Sequence, residues 1–235
     1  MLRLNNISLS FGEKVILDHF SLDLPEGAVS VLLGPSGCGK TTLCNIIAGT
    51  QKPQTGEIEG AQKGKVAYLF QEPRLLPWYS VRKNLELVIK KMFSREECKL
   101  AIDSILDTVD LTDYADFYPG QLSGGMARRA SLARAFVYPS ELTLMDEPFQ
   151  AIDLKRKLEL TNYVNKVWET GKKTSLFVTH DITEALLLGD YIRVLSGPPM
   201  EIKASFINNV PRNRRNLNNE NILLLEKDIY KIVTG

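Results

Sequence analysis

Two stretches of this 235-residue chain have the residue types and spacing to handle a polyphosphate. Gly34, Pro35, Ser36, Gly37, Cys38, Gly39, Lys40, Thr41 and Thr42 satisfy G-x-x-x-x-G-K-[ST] in full. Glycines in such a loop let consecutive backbone N–H groups curl around phosphate oxygens, and the N-terminus of a following helix adds a favourable dipole. Lys40 is placed to reach the terminal phosphates, and the Thr41 hydroxyl to take one Mg2+ position. The second stretch is "LTLMDEP", whose four leading residues carry Asp146 to the end of a buried strand. An aspartate there can hold Mg2+ through water, and the adjacent Glu147 can orient or deprotonate an attacking water. Taken alone, an acidic pair before Pro148 also suits a helix N-terminus. His180 ends the apolar run of "LFVTHD"; it is either a polar strand end or, at the same sheet edge, a contact for the γ-phosphate.

These residues need a sheet to carry them. "AVSVLLG", ahead of the phosphate loop, is apolar and β-branched, like a strand buried on both faces. "TTLCNIIAG" reads as a short helix stopped by Gly49, "KPQTGEIEG" as turn chemistry and "KVAYLF" as a further strand. "ELTLMDEP", "KKTSLFVTHD" and "YIRVLSG" are buried strands separated by the helical stretches "DLKRKLELTNYVNKVWE" and "ITEALLLG". Strands alternating with helices imply an α/β fold with a mostly parallel sheet. Ahead of it, "LRLNNISLSF" and "KVILDHFSLDL" alternate apolar and polar residues around Gly12 and Glu13, as an antiparallel pair does. Between Glu72 and about Phe136 the apolar spacing turns helical, which suggests an inserted lobe. The expected division is a core of 1–71 and 137–210, a helical lobe of 72–136 and a short extension of 211–235. "PRNRRNLNNEN" reads as a polar linker before a last helix, and its charge cluster as solvated.

Composition narrows the classes. Lys+Arg number 29 and Asp+Glu 28, so the near-zero balance leaves no general electrostatic footprint for nucleic acid. Hydrophobic residues make up 44% of the chain, enough for a proper core, yet there is no run long enough to span a membrane. Cys38, Cys44 and Cys98 have no metal-like spacing, and an odd count suits a reducing compartment. His19 has no partners nearby in sequence and reads as structural.

A second glycine turn, "QLSGGMARR", lies far downstream and also opens a helix. With it, the chain resembles the ATP-binding subunit of an ABC transporter over essentially its whole length. "LSGGM" is similar to the signature motif of that family, "QAID" to the loop after its catalytic glutamate, and Gln71 in "YLFQEP" to the glutamine at the entry to its helical lobe. The resemblance implies that Ser123, Gly124 and Gly125, with Asp153, cover the γ-phosphate held by Lys40 of a second copy. It implies a Mg2+ contact for Gln71 and adenine stacking for Phe11, where relatives usually carry tyrosine. It also places Glu72, Leu75, Leu76 and Trp78 against a membrane permease, although some of these side chains can equally pack within the lobe.

"LLPW", "YPGQLSGGM" and "VPRNRR" resemble the nitrate, sulfonate and taurine importer subfamily, whose relatives also carry pyrimidine precursors of thiamine. Isoleucine in "QAID" departs from the usual leucine. The implied assembly is a pair of ATPase chains on the cytoplasmic face of the membrane, beneath permease subunits served by a solute-binding protein. ATP and Mg2+ are the expected cofactors. A chain ending soon after the core leaves no room for an added regulatory barrel. The competing reading is a soluble ATPase of the same family that clamps nucleic acid or a protein assembly. A P-loop kinase or GTPase would account for the phosphate loop but not for "LSGG" or His180.

Overall fold

A computed structural model describes residues 2–60, 65–150, 152, 154–171 and 173–234. Strands β1 (Leu2–Phe11) and β2 (Lys14–Leu24) form the expected antiparallel hairpin, with Leu2, Leu4, Ile7, Leu17, Phe20, Leu22 and Leu24 buried. The segment read as turn chemistry contains a third strand, β4 (Thr55–Glu59), after β3 (Val29–Leu33) and helix α1 (Lys40–Ile47). The turn residues only bend the chain, with Gly56 at φ 88°; the strand itself pairs with the free edge of β1, Ile58 opposite Leu4. An exposed edge strand needs little apolar patterning, so its sequence resembles a turn.

The large sheet has the order β5-β6-β7-β3-β8-β9, built from β5 (Val66–Leu69), β6 (Leu142–Asp146), β7 (Thr174–Thr179), β3, β8 (Tyr191–Ser196) and β9 (Glu201–Ile207). All pairings are parallel except β8 with β9. That last strand is mostly exposed and carries no apolar run to announce it.

Helices α2 (Val81–Ile89), α3 (Arg95–Thr108) and α4 (Gly124–Val137) lie between β5 and β6 in the chain. The hydroxyls of Ser80, Ser94 and Ser123 accept from the backbone N–H three residues on, and Glu97 completes a capping box with Ser94. Such caps contribute about 1 kcal/mol each. Helices α5 (Leu154–Gly171), α6 (Ile182–Leu188) and α7 (Glu220–Thr234) complete the chain.

Alternation along the buried strands divides the interior into two cores. Val31, Leu33, Met145, Phe177 and Val194 pack against the helices of one side. Leu32, Leu144, Leu176 and Val178 pack against α1 and the three-stranded sheet on the other. Trp168 pins α5 to the first core: its indole N–H donates to Ser175 at 2.7 Å and its ring meets Phe136 edge-on.

Of the charge cluster after Val210, Arg214 is exposed as expected, but Arg212 and Arg215 are not solvated. Arg215 is buried, donating to the carbonyls of Leu188 at 3.0 Å and Val210 at 2.8 Å and to Asp190 at 2.7 Å. Arg212 pairs with the same carboxylate and lies over the Trp168 ring. Burial opposes ionisation of Asp190, but bonds from Arg212, the Val29 amide and Arg215 outweigh it and hold its pKa below the ordinary value.

Candidate active site

Three adjacent strands, β6, β7 and β3, end on one rim and deliver the candidate residues there. The Gly34 amide donates to the Thr179 carbonyl at 3.1 Å, and the Glu147 amide to the Val178 carbonyl at 3.0 Å. These two bonds draw the loops after β3 and β6 onto β7, beside His180.

The phosphate loop leaves β3 and enters α1. Gly39 holds φ 110°, and a Cβ there would stand 2.7 Å from Cγ2 of Ile16. Glycine is therefore required both for the turn and for close packing of the β1–β2 hairpin on the loop. Phe11 is exposed at the tip of that hairpin. Cys38 is buried, and burial pushes its thiol pKa up, so it packs the loop as a neutral group.

Lys40 is 4% exposed, and its Nζ donates to the carbonyls of Gly34 at 2.8 Å and Pro35 at 2.9 Å. It also lies 3.4 Å from Oε1 of Glu147. Oε2 of the same carboxylate is 3.1 Å from Nδ1 of His180. Glu147 itself has φ 43°, a left-handed conformation uncommon outside glycine and one that turns its side chain into this cluster.

Behind them, the Thr41 hydroxyl donates to Oδ1 of Asp146 at 3.1 Å and the Tyr68 hydroxyl to Oδ2 at 3.2 Å. Burial raises the Asp146 pKa, these two bonds offset part of the rise, and the neighbouring Glu147 adds to it. Among the described residues no cluster of three or more histidine, cysteine or acidic side chains exists to hold a metal. A hydroxyl and one carboxylate suit a hard cation that keeps most of its ligands from water and phosphate.

His180 is held from both sides. The Thr179 hydroxyl donates to Glu184 at 2.6 Å and accepts from the Asp181 amide at 3.0 Å. Lys157, on α5, pairs with Asp181 and, at 2.9 Å, with Glu184. Nothing in the residue pattern singles out Lys157, because its role depends on α5 meeting α6.

Other expected residues lie elsewhere. Ser123, Gly124 and Gly125 line a cavity of about 340 Å3 with Arg128, Glu159 and Tyr163, sharing no residue with the Lys40 cluster. Asp153 lies outside the described residues. The Gln71 side chain bonds to Gln150, while Arg128 donates to the Gln71 carbonyl at 2.7 Å and to those of Pro148 and Gln150. Sequence spacing gives Arg128 no distinction either; it ties the start of α4 to the loops after β5 and β6.

Leu75 packs against the helical core, whereas Trp78 is 66% exposed and Glu72 is exposed. Leu76 is half-buried, and its backbone is gripped by buried Asn84, whose amide also bonds the carbonyls of Tyr79 and Ser80. The loop that presents Trp78 is thus fixed from beneath.

A family model described as ABC transporter matches residues 17–150. The aliphatic sulfonates import ATP-binding protein SsuB of Granulibacter bethesdensis is 42% identical over 212 residues, covering 90% of this chain and 86% of that one. SsuB 1 of Mesorhizobium japonicum is 39% identical over 190 residues, covering 79% and 72%. The fold is similar to that of the ATP-binding cassette MJ0796 in a dimeric post-hydrolysis state bound to ADP and Pi. That match has a TM-score of 0.76 at 30% identity and covers 90% of this chain and 100% of that one.

Proposed function

The chain belongs to the ABC transporter family, and we propose that within it the chain is the ATP-hydrolysing subunit of an importer for a small organic sulfonate-type anion. The observation that carries the catalytic part is the Glu147 carboxylate, held between Lys40 and His180 on the rim that also bears Thr41 and Asp146. A carboxylate so placed orients the attacking water and accepts its proton. Lys40 and the loop amides bind the terminal phosphates, and His180 stabilises the transferring group. Phe11 offers an exposed ring to adenine.

Thr41 and Asp146 are the residues that would hold Mg2+, which when bound neutralises phosphate charge. Gln71 donates through its amide nitrogen to Gln150, which leaves its amide oxygen, the atom a hard cation takes, to join them. The turn of Ser123, Gly124 and Gly125 is separate from the Lys40 cluster and opens a 14-residue helix; Ser123 caps the Met126 amide, and the Gly124 and Gly125 amides are left for the phosphate of a second copy. ATP then joins two chains head to tail and hydrolysis releases them.

Among the described residues no helix is long and apolar enough to cross a membrane. Passage of the solute falls to separate permease subunits, on which the chain docks from the cytoplasmic side through Glu72 to Trp78. The similarity to sulfonate importers supports the choice of solute class.

The test is the mass in solution of Glu147→Gln with and without ATP, followed by uptake driven by the wild-type chain with the cognate permease in proteoliposomes. An ATP-dependent dimer and uptake of labelled alkanesulfonate are expected. A monomer at saturating ATP in the presence of permease overturns the shared site; uptake of an unrelated solute overturns the solute class.

A further inference from the structure

Tyr68 stands on β5, hydrogen-bonded in the sheet to the strand that ends in Asp146. Its hydroxyl lies 3.2 Å from Oδ2 of that carboxylate, while the Thr41 hydroxyl lies 3.1 Å from Oδ1. An ionised carboxylate accepts only, so both hydroxyls donate and each oxygen keeps lone-pair capacity for a further partner. Two bonds on opposite oxygens fix the plane of a carboxylate that one bond leaves free to turn.

The tyrosine ring is itself held. Phe70, two residues on and so on the same face of the chain, stacks on it at 4.1 Å between centroids with 14° between planes. The Arg74 guanidinium covers Phe70 at 4.0 Å. Arg74 adopts φ 44°, and Arg134 pins that turn by donating to the carbonyls of Pro73 at 3.0 Å and Arg74 at 2.8 Å. The stack hydrogen-bonds to Asp146 through the Tyr68 hydroxyl.

We propose that Tyr68 is a positioning residue for the Asp146 carboxylate, fixing its orientation toward hydrated Mg2+, and that the Phe70–Arg74 stack holds the tyrosine in place. The proposal rests on the reading of Asp146 as the Mg2+ carboxylate. Partners of this kind typically change metal affinity by about tenfold or more.

The experiment titrates a fluorescent ATP analogue onto wild type, Tyr68→Phe and Asp146→Asn, first in EDTA and then with increasing Mn2+. Phenylalanine keeps the ring stack and removes only the hydroxyl. The expected result is unchanged affinity in EDTA and a Mn2+ midpoint about tenfold higher for Tyr68→Phe. A midpoint equal to wild type, when Asp146→Asn does shift it, overturns the role of Tyr68 alone. Equal weakening in EDTA and in Mn2+ also overturns it, because the hydroxyl then supports the fold. If Asp146→Asn leaves the midpoint unmoved, the reading of Asp146 fails and the proposal falls with it.

Discussion

Nδ1 of His180 lies 3.1 Å from Oε2 of Glu147, bringing together two side chains 33 residues apart in sequence. The contact arises because β7 and β6 are parallel neighbours whose ends coincide, Asp146 standing opposite Val178. Lys40 approaches the other oxygen of the same carboxylate, so one acidic group is shared by two nitrogen donors from different loops.

His180→Ala removes one of those donors and leaves the phosphate loop intact. Phosphate release should slow by about 10²–10⁴-fold, the range for losing a positioned proton-transfer or charge-stabilising group. ATP affinity, measured at equilibrium on the same protein, should change little. Equal losses in affinity and rate would mean that His180 only supports binding.

Asp146→Asn should separate stability from activity. Burial raises the carboxylate pKa in the folded chain, so ionising it costs stability at neutral pH and nothing below the ordinary carboxylate range. The asparagine variant should therefore melt above wild type at pH 7, with the gap closing as the pH falls toward 4, while Mg2+-dependent hydrolysis is lost. Thermal melts across that range, read beside phosphate release, check both halves.

Ser123→Arg places a bulky cation at the start of α4. It removes a cap worth about 1 kcal/mol, so the melting temperature should fall only modestly. ATP binding by the single chain should persist, whereas the ATP-driven dimer of the Glu147→Gln background should disappear in a mass measurement by light scattering. A surviving dimer would mean the turn does not serve a second copy.

Arg215→Ala should destabilise the fold by about 2–3 kcal/mol, since it leaves a partly buried carboxylate and several carbonyls short of a donor. The folded pKa of Asp190 is depressed, so its contribution is complete above the ordinary carboxylate range and is lost as the pH falls through the folded value. The difference between variant and wild type should therefore shrink in acid. Urea unfolding at neutral and acid pH measures this directly.

Trp78→Glu alters an exposed ring on a loop fixed by Asn84. ATP hydrolysis by the isolated chain should stay within about twofold, as for a surface change away from packed groups. Co-purification with the permease should be lost. Retained co-purification would move the docking surface elsewhere.

Residue order alone marks the phosphate loop, the acidic strand end and the second glycine turn. Each is local: a phosphate is bound by consecutive backbone amides, and a strand end is announced by the apolar run before it. The parallel sheet is legible for the same reason, since strands buried on both faces show unbroken apolar runs. β4 and β9 are not, because an edge strand is mostly exposed and its partner's backbone, not its own side chains, makes it a strand. Nor can local pattern show that Arg212 and Arg215 converge on Asp190, that Arg128 joins α4 to two loops, or that Tyr68 reaches Asp146 from 78 residues away. Those contacts belong to side chains with several possible partners. Which partner each takes is decided only when sheet order and helix packing bring one within hydrogen-bond distance and exclude the water that would otherwise satisfy it.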